Sequence, residues 1–259
     1  MLLENKVVVI SGVGPGLGRA MATVAADEGA CVVLGARNAD FLSNVVEDIE
    51  RLGGRAIFRS TDVTDAEQCR ALAQAAGDAF GRVDALVNSA YVHGDWATSD
   101  RADPATWAGV YDVTCVGALR MAQAVLPAMR AAGGGAIVNV STMATVKPFP
   151  GEVAYAAAKG ALAALTRHMA RDFGRDGIRV NCARLGWIGG APVFTWIDTQ
   201  VASGRVRAEV EGEITDRIPI GIIPPERDCA RAILTLVSDH MRVVTGATLD
   251  VNGGEYMAP

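Results

Sequence analysis

The stretch Val7-Val8-Val9-Ile10-Ser11-Gly12-Val13-Gly14-Pro15-Gly16-Leu17-Gly18-Arg19 decides the fold class of this chain. Its four leading apolar residues are typical of a strand buried on both faces of a parallel sheet. They run directly into a glycine-rich turn, and a helical pattern follows from Ala20 to Glu28. The glycines let the backbone approach a pyrophosphate, and the N-terminus of the helix supplies N–H groups and a positive dipole. The stretch therefore predicts a dinucleotide-binding turn.

The glycines are spaced Gly12-x-x-x-Gly16-x-Gly18, which differs from the strict G-x-G-x-x-G pattern. The alternative interpretation is a tight turn in an α/β protein that binds no nucleotide, but the flanking strand and helix favour phosphate binding. The turn residues predicted to contact a cofactor are Gly12, Gly14, Gly16, Leu17 and Gly18.

Outward from this turn, short apolar runs alternate with helical patterns along the whole chain. Six further strands are predicted over residues 31–34, 56–60, 83–87, 136–140, 178–185 and 248–251. Further helices are predicted over residues 38–52, 104–129 and about 155–173. Another helix is predicted to begin at a cap formed by Thr64 or Asp65 and to end at residue 80. This alternation predicts an α/β fold: a single Rossmann-type domain over residues 1–259, with a doubly wound parallel sheet of seven strands and helices on both faces.

Residues 186–225 form the one long stretch outside the alternation. They are rich in glycine, proline and bulky apolar side chains, among them Trp187, Phe194 and Trp196. A long insertion after the carboxyl end of a strand is where a substrate lid is expected, and the alternative is a contact surface in an oligomer. An apolar lid predicts a hydrophobic substrate, such as an acyl chain, a terpenoid or cyclic ketone, a steroid or a polyketide.

The residues after the second predicted strand bear on the choice of cofactor. An acidic residue there binds the ribose 2′-hydroxyl of NAD, whereas an arginine accommodates the 2′-phosphate of NADP. This chain has Gly35-Ala36-Arg37, so Arg37 can pair with a phosphate and no carboxylate opposes it. Arg19 is a second candidate cation. We expect NADP(H), with NAD(H) as the alternative; in the competing interpretation Arg37 is solvated beside the adenine.

Tyr155-Ala156-Ala157-Ala158-Lys159 places a phenol and an ammonium one turn apart on an alanine-rich helix. A neighbouring ammonium favours the phenolate, so we expect Lys159 to lower the pKa of Tyr155 and fit it for proton transfer. The bland alternative is a packed tyrosine beside a snorkelling lysine. Lysine occurs only at positions 6, 147 and 159, which argues against Lys159 as an incidental solvated residue on the surface.

Composition excludes several classes of function. A net charge of −5 gives no electrostatic case for nucleic acid or an anionic membrane, and no run of about 18 apolar residues predicts a membrane span. Five scattered cysteines and an N-terminus without a signal-peptide pattern fit a reducing cytoplasm. The histidines at 93, 168 and 240 match no metal spacing, so no metal site is expected, and surface or helix-face positions are expected for them.

Several motifs occur in a familiar order and at familiar separations. They are Gly12-x-x-x-Gly16-x-Gly18, Asp62-Val63, Asn88-Ser89-Ala90, a hydroxyl residue ahead of the tyrosine, Tyr155-x-x-x-Lys159, Arg179-Val180-Asn181 and Asp250-Val251-Asn252-Gly253-Gly254. With this set the chain resembles the short-chain dehydrogenases/reductases over essentially its full length. The resemblance implies hydride transfer between a nicotinamide ring and a secondary alcohol or ketone, and a homo-oligomer, either a dimer or a tetramer.

The resemblance also implies roles for individual residues. Tyr155 would be the general acid/base, and Lys159 would lower its pKa and bind the nicotinamide ribose. Asp62 and Val63 would hold the adenine. The remaining implied contacts are Asn88 and Ala90 with the adenine ribose and the Ile188 backbone with the nicotinamide carboxamide.

The chain departs from the family pattern at several positions. Thr142, with Ser141 before it, stands where the catalytic serine is usual, and Thr114 stands in place of an asparagine that helps to hold a water. Tyr91 and Gly190 replace a glycine and a threonine. We expect an oxidoreductase that transfers hydride between NADP(H) and a ketone or secondary alcohol. The alternative is a nucleotide-binding sensor or partner subunit with little turnover.

Overall fold

The computed structural model describes residues 1–258, and within that range seven parallel strands form one sheet in the order β3-β2-β1-β4-β5-β6-β7. The strands are β1 Val7–Ser11, β2 Cys31–Ala36, β3 Arg55–Ser60, β4 Ala85–Asn88, β5 Gly135–Thr142, β6 Ile178–Leu185 and β7 Thr248–Val251. The strand order reverses between β1 and β4. The doubly wound α/β fold expected from the sequence is confirmed.

Helices cover both faces of the sheet. They are α1 Leu17–Asp27, α2 Ala39–Arg51, α3 Ala66–Phe80, α4 Pro104–Tyr111, α5 Gly117–Ala131, α6 Val153–Phe173, α7 Ala191–Ala202, α8 Arg207–Thr215 and α9 Glu226–Thr235. Successive β1 residues point to opposite faces, so Val8 and Ile10 join the core beneath α1, α2 and α9. Val7 and Val9 join the core beneath α3, α5 and α6. This two-sided burial is why the strand is a continuous apolar run.

The prediction of a single helix over residues 104–129 is wrong in one respect. A π-helical segment, Asp112–Val116, separates α4 from α5 in this range. At the start of α5 the helix comes very close to the loop after β3: a Cβ added at Gly117 would lie 2.6 Å from a methyl carbon of Val63. The segment has only five residues, which is too short for a change of period to be recognised in the sequence. Thr114 lies within it.

The segment 186–225 contains two helices, α7 and α8, which the sequence interpretation did not predict. They share a small core made of Ile197, Val210, Ile214 and Ile218. The segment therefore packs upon itself beyond the carboxyl end of β6. Within residues 1–258, every helix is too short or too polar to cross a membrane.

Candidate active site

The carboxyl ends of the parallel strands bring the predicted residues to one edge of the sheet. β1 leads into the glycine turn, β4 ends at Asn88, and β5 ends at Thr142. The strand order reverses between β1 and β4, and a crevice at such a point is where doubly wound sheets bind ligands. The glycine turn follows β1 and the Tyr155 helix follows β5, the two strands that flank β4 in the sheet.

The glycine turn owes its shape to two close approaches. Gly12 has φ +91°, and a Cβ there would lie 2.2 Å from the backbone nitrogen of Ala90. A Cβ at Gly18 would lie 2.8 Å from the Cα of Val13, so this glycine lets α1 pack tightly against the turn. Gly16 has φ +119° and is the N-cap of α1. The result is a glycine-lined turn at a helix N-terminus, which fits the pyrophosphate of a dinucleotide.

The residues expected around the adenine lie after β2 and β3. Hydrogen bonds from the backbone N–H (2.9 Å) and hydroxyl (2.7 Å) of Thr64 hold the pKa of Asp62 below its usual range, and Arg37 adds a smaller attraction. Val63 is buried, and Arg37 is exposed just past β2. Arg19, in contrast, pairs with Asp48 of α2. Arg37 is therefore the freer of the two candidate cations.

Asn88 has a structural partner that its implied role did not foresee. Its side-chain amide donates to the carbonyl of Ala118 (3.2 Å) and to Oδ1 of Asn139 (2.9 Å). Asn139 in turn donates to the hydroxyl of Thr166 on α6. This buried relay joins β4, β5, α5 and α6, so the Asn88 side chain is committed to the core. Contacts to a ribose would fall to the backbone around Asn88 and Ala90.

Lys159 is buried, with 1% of its surface exposed. Its ammonium donates to the carbonyl of Val140 (2.6 Å) and lies 5.8 Å from the centroid of the Tyr155 ring and 5.5 Å from that of Tyr91. Burial lowers the pKa of Lys159 to about 8. The predicted Tyr155–Lys159 pair is present on one face of α6, as their spacing predicts.

The pKa of Tyr155 differs in direction from the expectation. Burial raises it well above its usual range, the charges of Tyr91 and Glu152 act in the same direction, and a hydrogen bond with Thr142 opposes them. The expected lowering of this pKa by Lys159 was therefore wrong in direction. Desolvation of the phenolate dominates, and the Lys159 ammonium donates to the carbonyl of Val140.

Buried polar atoms without partners gather near this pair. The hydroxyls of Thr114 and Ser141 and the indole N–H of Trp187 are buried and make no hydrogen bond within residues 1–258. Thr142 is better satisfied, because its hydroxyl accepts from the N–H of Ala144 (3.2 Å). Ile188 is partly buried just after β6. Such unpartnered buried groups are rare in native proteins, which makes these three candidates for a functional role.

Two members of an aromatic wall beside Tyr155, His93 and Trp96, were missed by the sequence interpretation. The ring of His93 stacks on Tyr155 at 4.3 Å between centroids and on Trp96 at 4.2 Å, and Tyr91 lies 5.5 Å from Tyr155. His93 had been expected at a surface or on a helix face. Its position five residues beyond the end of β4 was the available signal, because that loop borders the crevice.

A second aromatic group comes from the segment beyond β6. Trp187 lies 6.5 Å from Phe149 and 5.7 Å from Trp196, measured between ring centroids. Trp96 is 67% exposed and Trp196 40% exposed, so both aromatic groups reach the surface. These faces can pack against an apolar ring or chain.

Comparisons with known proteins agree with this geometry. The family model described as short chain dehydrogenase matches residues 6–199. The cis-4-hydroxycyclohexanecarboxylate dehydrogenase of Sinomonas cyclohexanicum is 36% identical over 96% of each chain. Among solved structures, 7α-hydroxysteroid dehydrogenase complexed with NADH and 7-oxo glycochenodeoxycholic acid is 32% identical over 97% of this chain and 94% of that one, with a TM-score of 0.85. A variant of actinorhodin polyketide ketoreductase with NADPH is 26% identical over 96% of this chain and 97% of that one, with a TM-score of 0.87.

Proposed function

The chain belongs to the short-chain dehydrogenase/reductase family, NAD(P)-dependent oxidoreductases acting on CH–OH and C=O groups, and from this premise we propose its specific reaction. It transfers hydride between NADP(H) and a ketone or secondary alcohol of a hydrophobic small molecule, with Tyr155 as general acid/base. The observation that carries the proposal is the Tyr155–Lys159 pair on the helix after β5, in which the ammonium lies 5.8 Å from the centroid of the phenol ring.

A nicotinamide cofactor, when bound, supplies or accepts the hydride. The chain's own residues move the proton. The raised pKa of Tyr155 keeps its phenol protonated near neutral pH, which suits donation to a carbonyl oxygen in the reductive direction. The Thr142 hydroxyl, close enough to Tyr155 to lower its pKa, would donate to the same oxygen and orient it. Thr114 and Ser141 have free hydroxyls to hold a water for the proton path.

The preference for NADP(H) rests on Arg37. It is exposed just past β2, close enough to Asp62 to lower the pKa of that carboxyl, and the neighbouring Arg19 is occupied by Asp48. A guanidinium at this place pairs with a 2′-phosphate. The two solved relatives carry NADPH and NADH respectively, so the family itself leaves this choice to local residues.

The proposed substrate class rests on two groups of aromatic residues. His93 and Trp96 lie beside Tyr155, while Phe149, Trp187 and Trp196 form a second group that includes the segment beyond β6. Flat aromatic surfaces favour a ring-shaped apolar substrate over a flexible polar one. The names of two relatives, a hydroxycyclohexanecarboxylate dehydrogenase and a hydroxysteroid dehydrogenase, support a cyclic alcohol or ketone.

Assembly as a dimer or tetramer is part of the same proposal. An exposed apolar groove between α4 and α6, lined by Trp107, Tyr111, Ala154 and Ala157, supports it. Burial of such a face against a second copy would be favourable. Light scattering in solution tests this point, and a monomer mass would contradict it.

Substitution of Tyr155 by phenylalanine tests the reaction. The purified protein is assayed with NADPH and a panel of steroid and cyclohexanone ketones. We expect Tyr155→Phe to lower turnover by about 10²- to 10⁴-fold because the proton donor is lost. Binding of NADPH, followed by nicotinamide fluorescence, should be nearly unchanged.

Tyr111→Phe is the matched control, because Tyr111 is an exposed phenol on α4. It should leave turnover unchanged. If the wild-type chain bound NADPH and Tyr155→Phe altered no turnover, the sensor or partner-subunit alternative would take precedence.

A further inference from the structure

Glu226, the first residue of α9, lies against the glycine turn. A Cβ added at Gly16 would lie 2.8 Å from its Oε1, and a Cβ added at Gly190 would lie 1.7 Å from the same atom. The carboxylate therefore fills the space that a side chain at position 190 would take. At the same time it contacts the N-cap of α1.

The N-terminus of α1 offers this carboxylate an attractive place. Its N-cap is a glycine with no side chain to accept from the free N–H groups, and its first turn, from Leu17 to Ala20, has no acidic residue. The positive end of a helix attracts an anion, whether a side chain or a phosphate. Glu226 makes no side-chain hydrogen bond or ion pair with the rest of residues 1–258, and burial raises its pKa. The carboxylate thus faces the turn without a cation to neutralise it.

A bound pyrophosphate would need the same N–H groups. We propose that Glu226 is an internal stand-in for the cofactor's pyrophosphate, which lies at the α1 N-terminus in the free protein and must move aside when a dinucleotide binds. The inference rests on the proposed function, since it presumes a dinucleotide in this turn. It implies that Glu226 weakens cofactor affinity, and that Gly190 is required to make room for it.

A gain in cofactor affinity without a loss of stability distinguishes this role from a purely structural one. Glu226→Gln keeps the shape but removes the charge, so NADPH should bind at least about fivefold more tightly by fluorescence titration. The cofactor-free protein should unfold at the same temperature or higher, because burial disfavours the charged form of the Glu226 carboxyl. Asp228→Asn is the matched control: Asp228 lies in the same helix turn but pairs with Arg231 in solvent, and neither quantity should change appreciably.

A second variant tests the position of the Glu226 carboxylate by adding a Cβ at position 190. Gly190→Ala would place a Cβ where the carboxylate now lies and force it away from the turn. It should therefore tighten NADPH binding in the wild-type background and change nothing in a Glu226→Ala background.

The outcomes separate the two proposals. Equal NADPH affinity in the wild type and Glu226→Gln would overturn the stand-in role alone. Failure of both proteins to bind NADPH or NADH would overturn the proposed function, and the stand-in role with it.

Discussion

The two ends of the crevice differ in which parts of the chain shape them, backbone at one end and side chains at the other. At the glycine turn the shape comes from backbone packed against backbone, as at Gly12 against Ala90. Around Tyr155 it comes from buried polar side chains: the ammonium of Lys159 and the unpartnered hydroxyls of Thr114 and Ser141. The first end is stabilised by its own packing, whereas burial of the charged Lys159 ammonium lowers stability at the second. Substitutions at the two ends should therefore change stability in opposite directions.

The largest effect is expected at Gly12. Gly12→Ala would require φ +91° of a residue with a Cβ and would drive that atom to within 2.2 to 2.6 Å of the backbone of Ala90 and Ser89. No flexible side chain can yield there, so β1 and β4 must separate. We expect the free energy of unfolding, measured in urea, to fall by about 3 kcal/mol or more.

Gly14 supplies the control, because a Cβ there meets nothing within 4 Å and its φ is not in the left-handed region. Gly14→Ala should leave stability within about 0.5 kcal/mol of the wild type. If Gly12→Ala also left the free energy of unfolding unchanged, backbone packing would not be what shapes this end of the crevice.

Lys159 should respond in the opposite sense. Its pKa falls from 10.5 to about 8 on burial, which corresponds to roughly 3 kcal/mol of destabilisation while the ammonium is charged. Lys159→Met keeps the length of the side chain and removes the charge. We expect it to raise the free energy of unfolding by about 2–3 kcal/mol near neutral pH, while turnover is lost.

The effect of Lys159→Met on stability should depend on pH in a defined direction. The folded protein releases the Lys159 proton near pH 8, and the unfolded chain releases it near 10.5. The penalty is full below pH 8 and disappears as the pH rises to 10.5, so the advantage of Lys159→Met should shrink over that window. Lys6→Met, at an exposed ion pair with Asp239, should change stability by no more than about 1 kcal/mol. An advantage of Lys159→Met that grew with pH would contradict the account.

The same contrast explains how much the sequence could predict. The strands and the glycine turn follow from local features: apolar runs, glycine spacing and a following helix. Gly12 and Gly18 are needed because of close approaches that any chain with this fold must make. These parts were predicted correctly without knowing the neighbours of each residue.

The parts that failed depend on long-range placement. The direction of the Tyr155 pKa depends on where the Lys159 ammonium points, which spacing along a helix does not determine. His93 meets Tyr155 only because a loop after β4 folds over a helix that lies far along the chain. The π-helical segment at Thr114 is too short to be recognised from the apolar periodicity.

The smallest effect on binding is expected at Arg37. Its exposed side chain lies at the glycine-turn end of the crevice, which is otherwise shaped by backbone packing. If packing shapes the turn and Arg37 only selects the cofactor, Arg37→Ser should weaken NADPH binding about tenfold, or ~1.4 kcal/mol, through loss of the pairing with the 2′-phosphate. NADH binding and stability should be unchanged, since NADH lacks that phosphate. Arg55→Ser is the control, because Arg55 is exposed at the opposite end of β3. Parallel losses for NADPH and NADH would mean that Arg37 shapes the site itself, and a wild-type preference for NADH would remove the case for NADP(H).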